Sequence, residues 1–472
     1  MAISQTATCD ELKNGQHTAI ALTTAFQPDF YPLPEGYDAA LVIAGAEHGE
    51  VFYSQRDTQY QPPASMQKLV TALAAVLYLG KDYRFTTQLE QEGNNVVLRF
   101  SGDPSLSRQH LATLLVALKA HTDGTITGDL LLNGGRFSGY EQAPGWPWDN
   151  LGVCYSAPSS SLSLENNCVQ GALYSNRPLG DKTRVTVPAH QPLTVTSSAL
   201  VTSKEGQKAE HCDLELTNQG RNHYKLSGCL VQREEPLPLN FAVQDTEAYI
   251  SSVLRAELAR LGIELKGEIT RDDAAHGTLI ASHDSAPLHE LLDTMIKDSD
   301  NLYSDNIAKT IGANYYGQPG SFANGSAAIK AILKDKAEIE LDRAILVDGS
   351  GLSRDNRMTA RQMMEVLRYI YRYDDMLNLL VALPVSGQSG TLRYRQSMRE
   401  QPLLGQIRAK SGSLYGTHNL AGLLEAQSGQ TLLFIQMISN YFPQERDESL
   451  PVIAPPIETF ERNLYRRLYE MF

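Results

Sequence analysis

Hydrophobic residues recur at helical spacing in one stretch near the start of the chain, between Gln61 and Leu79. Two prolines at its beginning favour a helix start. The apolar positions that follow have the period of a buried helix: Leu69, Leu73, Val76 and Leu77. A strand over residues 39–44, a turn and a second strand, VFYSQ, are predicted directly before it. We therefore expect a hairpin that leads into a buried helix.

Further elements follow from the same two periods. Residues 85–135 show strand alternation, then an amphipathic helix and another strand, which predicts a small α/β unit. Residues 171–237 alternate β-branched residues with turn signals, which indicates a mostly β module. A helix is predicted over 248–263, and one or two helices over 288–316 with a break near 298–300.

The last part of the chain predicts an antiparallel meander between two helices. The first helix is capped by Thr359, and three strand candidates with short connections follow: LLGQIRAKSGSLYG, HNLAGLLEA and QTLLFIQMISN. The final segment has one apolar helical stripe, formed by Ile457, Phe460, Leu464 and Leu468. Such a stripe favours packing against a sheet over a membrane anchor.

Composition and charge exclude several classes of protein. The chain has 472 residues, of which 42% are hydrophobic and 20% charged, which is typical of a globular protein with two or three domains. The net charge of -13 and the absence of a basic run disfavour nucleic-acid binding. No apolar run has the length of a transmembrane helix. The start, MAISQTATCD, lacks the regions of a signal peptide. We therefore expect either a cytoplasmic protein or a chain that begins at a mature terminus.

The cysteines favour the second alternative. Two close pairs, Cys154 with Cys168 and Cys212 with Cys229, lie in loop- and strand-like sequence, as local disulfides would. Each disulfide would close a loop of about 15 residues and stabilise the fold by about 3 kcal/mol. Five buried thiols are the alternative. No zinc-ligand spacing accompanies the cysteines, so no metal or cofactor is predicted. Cys9 has no predicted role.

Three short motifs contain the candidate chemistry. Ser65 and Lys68 lie three residues apart in the first turn of the predicted helix, where a hydroxyl beside an amine can act as a nucleophile. Alone, this pair is weak evidence, because a capping serine and a solvated lysine give the same pattern. Ser299-Asp300-Asn301 and Lys410-Ser411-Gly412 follow in order. Together the three motifs are those of the serine acyl-transferases among β-lactamases and penicillin-binding proteins.

The chemistry gives each catalytic residue a role. Ser65 Oγ attacks a carbonyl carbon, and Lys68 takes the hydroxyl proton. Lys68 must be neutral for this step, so we expect burial and the positive charge of Lys410 to lower its pKa. Ser299 passes the proton to the leaving nitrogen. Asn301 holds Lys68 and the substrate amide.

Substrate binding is assigned to the strand that contains the third motif. The backbone N–H groups of Ser65 and Ser413 are predicted to form an oxyanion hole. The hydroxyls of Ser411 and Ser413, on either side of Gly412 and next to Lys410, are predicted to bind a substrate carboxylate.

The middle motif occurs a second time, as Ser304-Asp305-Asn306. On a continuing helix, five residues rotate a side chain by about 500°, so the two copies lie on different faces. We assign the first copy to the site, because it lies at the predicted break directly after the apolar run LLDTMI.

With these motifs the sequence resembles the low-molecular-mass class C penicillin-binding proteins of the penicillin-binding protein 4 type, the D-alanyl-D-alanine carboxypeptidase/endopeptidases. The resemblance covers nearly the whole chain and includes PPAS, SGDPSL, APGWPW, YSAP, DGSGLSR and SGSLYGTHNLAG. More than 200 residues separate the first two catalytic motifs. By this resemblance, the excess implies a domain inserted into the transpeptidase-like fold.

The resemblance implies an α/β fold of the penicillin-binding-protein/β-lactamase type, with an antiparallel sheet flanked by helices. Its catalytic domain would comprise residues 1–87 and 281–472. An inserted α/β domain would comprise 88–170 and 238–280, with a nested β-rich domain over 171–237. The resemblance also implies a periplasmic location, at most peripheral membrane contact, and peptidoglycan stem peptides and β-lactam antibiotics as ligands.

By the same resemblance, Asn150, Tyr155 and Arg354 lie near the mouth of the site, where the diamino-acid side chain or carboxylate of a peptide stem is bound. Asn150 departs from the acidic residue expected there.

The expected function is therefore a serine peptidase that releases D-Ala through an acyl-enzyme on Ser65 and also cleaves D-Ala–diamino-acid cross-links. A class A-like β-lactamase would need a second base, and the nearest candidate, Glu165, lies in the wrong pattern. A non-catalytic peptidoglycan-binding scaffold would not need the intact motifs. Ser299 in place of a tyrosine disfavours a Tyr-x-Asn esterase, and no histidine has a nucleophile-elbow context.

Overall fold

The computed structural model describes residues 26–444 and 454–472, and the chain forms two compact units. The first unit contains the described residues up to Met66, together with Arg357–Met376 and Leu380–Phe472. The second unit contains Gln67–Asn356 and Leu377–Leu379. The chain therefore passes from one unit to the other between Ser65 and Lys68.

The secondary structure mixes helices and strands throughout the described residues. The α-helices are Gln67–Leu79, Arg108–His121, Lys204–Glu210, Thr246–Leu261, Leu288–Lys297, Asn301–Tyr316, Phe322–Ala337, Ala360–Arg372, Asp374–Leu377 and Pro456–Met471. The strands are Asp38–Gly45, Val51–Gln55, Thr86–Glu92, Asn95–Arg99, Thr125–Ile126, Leu130–Asn133, Cys168–Tyr174, Arg184–Thr186, Thr194–Ser197, Leu200–Thr202, Leu214–Asn218, His223–Val231, Leu237–Ala242, Glu264–Leu265, Ile269–Arg271, Thr278–Asp284, Ile407–Leu414, Thr417–Glu425 and Thr431–Ser439. The expected α/β fold class is confirmed.

The first unit is built on a five-stranded antiparallel sheet. Its order is Ile407–Leu414, Thr417–Glu425, Thr431–Ser439, Asp38–Gly45 and Val51–Gln55. The predicted hairpin and the predicted meander are both confirmed. The hairpin strand Asp38–Gly45 pairs with the meander strand Thr431–Ser439. The short connections between the strands specify this arrangement locally.

The C-terminal helix covers one face of this sheet. Ile457, Phe460, Leu464 and Leu468 are buried in one core with sheet residues such as Leu420 and Phe434. The apolar stripe is therefore part of the core, as predicted. Among the described residues, no helix combines the length and hydropathy that a bilayer crossing requires.

Packed helices form the part of the second unit that positions Lys68. The helix Gln67–Leu79 is buried from Gln67 to Ala75 and contacts Leu288–Lys297, Asn301–Tyr316 and Phe322–Ala337. The break predicted near residue 300 is confirmed, since one helix ends at Lys297 and the next begins at Asn301.

A second five-stranded sheet forms the α/β part of the second unit. Its order is Ile269–Arg271, Leu130–Asn133, Asn95–Arg99, Thr86–Glu92 and Thr278–Asp284. The strands Asn95–Arg99 and Leu130–Asn133 run parallel and are joined by the helix Arg108–His121, which confirms the predicted strand–helix–strand unit.

The segment between Cys168 and Ala242 consists mostly of short strands, as predicted, with one short helix, Lys204–Glu210. Both predicted disulfides are present, with Cα–Cα distances of 5.3 Å for Cys154–Cys168 and 5.7 Å for Cys212–Cys229. Cys9 lies outside the described residues. The boundaries of the three predicted domains stay a prediction.

Candidate active site

Ser65 lies in a tight turn that leads directly into a helix. The 3₁₀ turn Ala64–Met66 continues without a break into the helix Gln67–Leu79, as the two prolines and the apolar period predicted. Ala64 has a φ of 48°, a left-handed conformation that is rare for a residue with a side chain. Such conformations persist only where the surrounding structure fixes them, and they cluster at functional sites.

The strand with the third motif lies against this turn within the first unit. A Cβ atom at Gly412 would lie 2.8 Å from the Pro63 carbonyl oxygen and 3.1 Å from the Met66 nitrogen, so only glycine fits. Asn419, on the neighbouring strand, donates to the carbonyl oxygens of Pro62 (2.8 Å) and Pro63 (3.2 Å). The structure therefore brings the Ser65 turn and the Lys-Ser-Gly strand together.

Lys410 belongs to that strand, and its side chain is fully buried. Its Nζ donates to the Ser411 carbonyl oxygen at 2.9 Å, and Ser411 Oγ donates to Thr391 Oγ1 at 2.7 Å. Ser413, two residues after Ser411 on the same face, is exposed. The strand thus presents a buried amine next to hydroxyl groups of increasing exposure.

Lys68 is fully buried in the second unit, with its amine bonded to two acceptors. Nζ donates to Asn301 Oδ1 at 2.6 Å and to the Ser350 carbonyl oxygen at 2.9 Å. Burial lowers the pKa of Lys68 to about 8, although the carboxylates of Asp305, Asp348 and Asp300 act in the opposite direction. The amine is therefore much easier to deprotonate than an exposed lysine.

The middle motif occupies the break between two helices. Ser299 has a φ of 59°, and the side chain of Asp300 caps the next helix by accepting from the Tyr303 N–H at 3.0 Å. Asn301 bonds on both sides of its amide, since Oδ1 accepts from Lys68 and Nδ2 donates to the Tyr155 carbonyl oxygen at 2.7 Å. The structure thus joins the second motif to Lys68.

The second copy of the motif lies inside the same helix. Ser304, Asp305 and Asn306 are all fully buried. Asn306 bonds to the carbonyl oxygens of Gly102 (2.9 Å) and Ser160 (3.3 Å). This asparagine therefore fixes loops of the fold.

Tyr155 and Arg354 lie within electrostatic reach of each other, and Asn150 lies in a neighbouring turn. Burial and the charge of Asp149 raise the pKa of Tyr155, and Arg354 opposes them. The Asn150 carbonyl oxygen accepts from the Val153 N–H at 3.1 Å, so its backbone shapes the loop before Tyr155. Although residue 150 is not acidic, Asp149 beside it supplies a carboxylate near the tyrosine ring.

Glu165 serves a structural purpose. Its carboxylate accepts from the Arg108 N–H at 2.6 Å, at the start of the helix Arg108–His121. This bond caps the helix and offers no support for a second catalytic base.

Asp348 is a buried residue for which the sequence motifs predict no role. Its carboxylate accepts from the N–H groups of Gly351 (2.8 Å) and Ser353 (2.6 Å) and from Trp146 Nε1 (2.9 Å). The sequence contained two indications of this role, the runs DGSGLSR and APGWPW. The Asp348 carboxylate connects them, because it bonds Gly351 and Ser353 in the first run and Trp146 in the second. Its bonds fold the loop whose Ser350 carbonyl accepts from Lys68.

Comparisons with known proteins show the family of the chain. Residues 29–464 match the model of the D-Ala-D-Ala carboxypeptidase 3 (S13) family. The chain is 35% identical over 447 residues to the D-alanyl-D-alanine carboxypeptidase DacB of Haemophilus influenzae, covering 93% of this chain and 92% of that protein. It is 26% identical over 421 residues to a D-alanyl-D-alanine carboxypeptidase of Actinomadura sp., covering 84% of this chain and 77% of that protein.

Solved structures show the same similarity. The crystal structure of penicillin binding protein 4 from Haemophilus influenzae superposes with a TM-score of 0.86 at 34% identity, covering 96% of this chain and 99% of that one. A second structure of that protein, complexed with a novel beta-lactam, gives a TM-score of 0.81 at 33% identity, with the same coverage of both chains.

Proposed function

Because the chain belongs to the D-Ala-D-Ala carboxypeptidase 3 (S13) family, we propose that it acylates Ser65 with peptidoglycan stem peptides and releases their terminal D-Ala. The resemblance to the penicillin-binding protein 4 type that the motifs indicated is confirmed, and the chain is a serine-type peptidase of that kind. Hydrolysis of the acyl-enzyme by water would complete the cycle. Cleavage of D-Ala–diamino-acid cross-links would be a second activity of the same site.

The observation that carries this proposal is the pair of hydrogen bonds at the buried Lys68 amine. A neutral amine has two N–H groups and one lone pair. Two acceptors, Asn301 Oδ1 and the Ser350 carbonyl, bond the N–H groups, and burial favours the neutral form. We propose that the lone pair takes the Ser65 hydroxyl proton as Oγ attacks the carbonyl carbon of the penultimate D-Ala.

The remaining motif residues would complete the reaction. Ser299 would relay the proton to the leaving nitrogen, and the N–H groups of Ser65 and Ser413 would stabilise the oxyanion. Ser299 has a left-handed backbone conformation and lies between the ends of two helices. These two features support a fixed position for its side chain. Lys410 would add positive charge to the site, and its contribution to the pKa of Lys68 stays a prediction.

Recognition of the substrate is assigned to two regions. The terminal carboxylate would bind Ser411, Gly412 and Ser413 on the strand beside the Ser65 turn. Tyr155 and Arg354 would contact the peptide stem, and the region of Asn150 would bind the amine of its diamino acid. Asp149, rather than Asn150, is the residue there whose charge suits an amine.

Two further proposals concern ligands and location. A β-lactam would acylate Ser65 in place of the stem peptide, as expected for a relative of a protein that was crystallised with a beta-lactam. The protein would act in the periplasm. The two disulfides support this location, because disulfides persist mainly in oxidising compartments.

Fluorescent penicillin and a D-Ala release assay test the proposal. The purified protein should give a stable labelled band and release D-Ala from a peptide ending in D-Ala-D-Ala. Ser65→Ala should abolish both, and Lys68→Ala should abolish acylation while the protein stays folded, which a cooperative thermal unfolding transition would show. Ser138→Ala, at an exposed serine, is the control and should leave both signals unchanged.

The time course of labelling distinguishes the alternatives. Rapid loss of the label would indicate a β-lactamase, and no labelling with no D-Ala release would indicate a scaffold protein. Retained D-Ala release by Ser65→Ala would contradict the assignment of the nucleophile. Mass spectrometry of products from a cross-linked muropeptide would test the endopeptidase activity.

A further inference from the structure

The repeated Ser-Asp sequence lies one helical turn after Asn301, on the helix Asn301–Tyr316. Ser304 and Asp305 are both fully buried, and neither is accounted for by the proposed reaction. A buried carboxylate is costly unless hydrogen bonds or charges compensate it. The question is therefore what this carboxylate holds.

Asp305 binds the backbone of a loop rather than another side chain of its own helix. Its Oδ1 accepts from the N–H groups of Gly349 (2.8 Å) and Ser350 (2.9 Å). Ser304 Oγ donates to the Gly349 carbonyl oxygen at 2.8 Å, and Thr71 Oγ1 donates to the same oxygen at 2.7 Å. The loop is thus fixed between two helices.

The contact between this loop and the helix leaves no room for adjustment. A Cβ atom at Gly349 would lie 2.6 Å from Ala308 Cβ and 2.7 Å from the Ser304 carbonyl oxygen. The same loop presents the Ser350 carbonyl oxygen to Lys68 Nζ at 2.9 Å. Asp305 therefore holds the N–H of the residue whose C=O bonds the Lys68 amine.

We propose that Asp305 is a positioning residue for Lys68, because it fixes through Gly349 and Ser350 the carbonyl that orients the amine toward the nucleophile. The proposal rests on the proposed function, in which Lys68 is the base. It gives the second copy of the motif a purpose different from that of the first. The first copy bonds Lys68 directly, and the second fixes the loop behind it.

The charges around these groups predict a separate, electrostatic effect. The carboxylates of Asp300, Asp305 and Asp348 face Lys68 within its unit. Asp305 is in turn faced by Asp348 and Lys68, and its charge reaches Lys309 one turn further along the helix. Burial and the charge of Asp348 raise the pKa of Asp305 to about 8, so Asp305 and Lys68 titrate in the same pH range. Where Asp305 is ionised, its negative charge favours the ammonium form of Lys68, so loss of this carboxyl group should lower the pKa of Lys68.

Two substitutions separate position from charge. Asp305→Asn keeps an oxygen that can accept from Gly349 and Ser350 but removes the charge. Asp305→Ala removes both. The measurement is the second-order rate of acylation by fluorescent penicillin between pH 5.5 and 9.5. Asn306→Ala is the matched control, because it removes a buried polar side chain of the same motif that bonds other loops.

We expect Asp305→Asn to shift the midpoint of the pH profile down by about one pH unit, with a plateau within tenfold of the parent. Asp305→Ala should lower the plateau about 100-fold, since a catalytic group misplaced by 1 Å costs on that order. Asn306→Ala should lower the thermal unfolding midpoint and leave the pH midpoint unchanged. A purely structural role for Asp305 would lower stability without moving the profile.

An Asp305→Ala plateau within threefold of the parent would overturn the proposal, and an unchanged pH midpoint in Asp305→Asn would refute the electrostatic effect. If the Asp305 variants yield no folded protein, Ser304→Ala decides, because it removes a single bond to Gly349. It should reduce the plateau about three- to tenfold, and an unchanged plateau would refute the idea. If the parent protein neither labels nor releases D-Ala, the proposed function fails and this inference falls with it.

Discussion

The buried ion pair between Arg395 and Glu461 should determine the stability of the sheet that contains Lys410. Glu461 is buried on the C-terminal helix, and each of its oxygens accepts two donors. Oε2 accepts from Arg395 Nε (2.9 Å) and Ser397 Oγ (2.7 Å), and Oε1 accepts from a second guanidinium nitrogen and from Gln436 Nε2 (3.0 Å). Gln436 lies on the central strand Thr431–Ser439, so this cluster ties the helix to the sheet.

Glu461→Gln changes the shape of the side chain little, but it should lower the free energy of unfolding substantially. Whichever oxygen becomes an NH₂ group then faces two donors and loses both bonds. The Arg395 side chain, only 17% exposed, keeps its charge but loses its hydrogen-bonded carboxylate, and the more weakly interacting Glu458 still acts on it. Removal of one partner from a buried ion pair costs about 3–5 kcal/mol. At about 1.4 kcal/mol per factor of ten, the population of opened sheet should rise on the order of a hundred- to a few-thousand-fold.

Hydrogen exchange followed by mass spectrometry is the suitable assay. Peptides from Ile407–Leu414 and Thr431–Ser439 should lose protection by that factor. Both tryptophans, Trp146 and Trp148, belong to the second unit, so tryptophan fluorescence monitors the unit that does not contain Glu461.

Glu470→Gln is the matched control for this experiment. It makes the same substitution on the same helix, in an exposed ion pair with Arg466 of 2.8 Å. Exposed pairs of this spacing contribute about 0.3–0.5 kcal/mol, so exchange should change little. If Glu461→Gln cost no more than Glu470→Gln, the assignment of the buried pair as the tie between helix and sheet would be wrong.

The pH dependence of the effect has a definite sign. Burial by itself raises the pKa of Glu461, but Arg395 and hydrogen bonds from Arg395, Ser397 and Gln436 outweigh it and hold the pKa below its ordinary value. A lowered folded-state pKa stabilises the fold above the unfolded value of about 4.3, and this contribution is lost as the pH falls through the folded value. The difference between the parent and Glu461→Gln should therefore narrow below about pH 4.

Three other outcomes are expected. Penicillin acylation should rise about tenfold per pH unit up to about pH 8, since only neutral Lys68 accepts the proton, and a flat profile from pH 6 to 8 would contradict this role. Joint replacement of Cys154 and Cys168 by serine should cost the second unit about 3 kcal/mol in urea unfolding followed by tryptophan fluorescence, whereas an unshifted midpoint would exclude the loop-entropy argument. Trp146→Phe loses a buried hydrogen bond to the Asp348 carboxylate and should lower the free energy of unfolding by about 1.5–3 kcal/mol. Trp148→Phe, at a residue 85% exposed, should leave it almost unchanged. Equal effects of the two substitutions would contradict a stabilising bond between Trp146 and Asp348.

The elements predicted correctly are those whose pattern is local. The meander follows from three strand candidates joined by connections of a few residues, as in the pairing of Ile407–Leu414 with Thr417–Glu425. The C-terminal helix follows from its single apolar stripe. The break between Leu288–Lys297 and Asn301–Tyr316 was visible because polar residues interrupt a strong apolar period.

The helix Phe322–Ala337 was not predicted, for a physical reason. Its buried face mixes the small residues Gly325, Ser326 and Ala328 with the large apolar residues Phe322, Ile329, Ile332 and Leu333. A Cβ atom at Gly325 would lie 2.5 Å from the Ala308 carbonyl oxygen, so small residues are needed for close approach to the neighbouring helix. Such a contact interrupts the hydrophobic period in the first half of the helix, between Phe322 and Ile329.

Backbone strain at the site is equally hidden from sequence. Ala64 precedes the nucleophile at a φ of 48°, and Ser299 opens the middle motif at 59°. Neither residue type favours this region, which costs about 1–2 kcal/mol for a residue with a Cβ atom. A local pattern would therefore assign both residues to ordinary turns or helix starts.

The contacts that offset this strain come from distant parts of the chain. Asn419 and Gly412 fix the turn at Ala64 from the sheet. Lys68 bonds Asn301 two residues after Ser299, and Asp300 caps the helix that follows it. Sequence motifs therefore predict which groups react. The conformations that aim those groups depend on bonds across more than 200 residues, which periodicity and spacing cannot reveal.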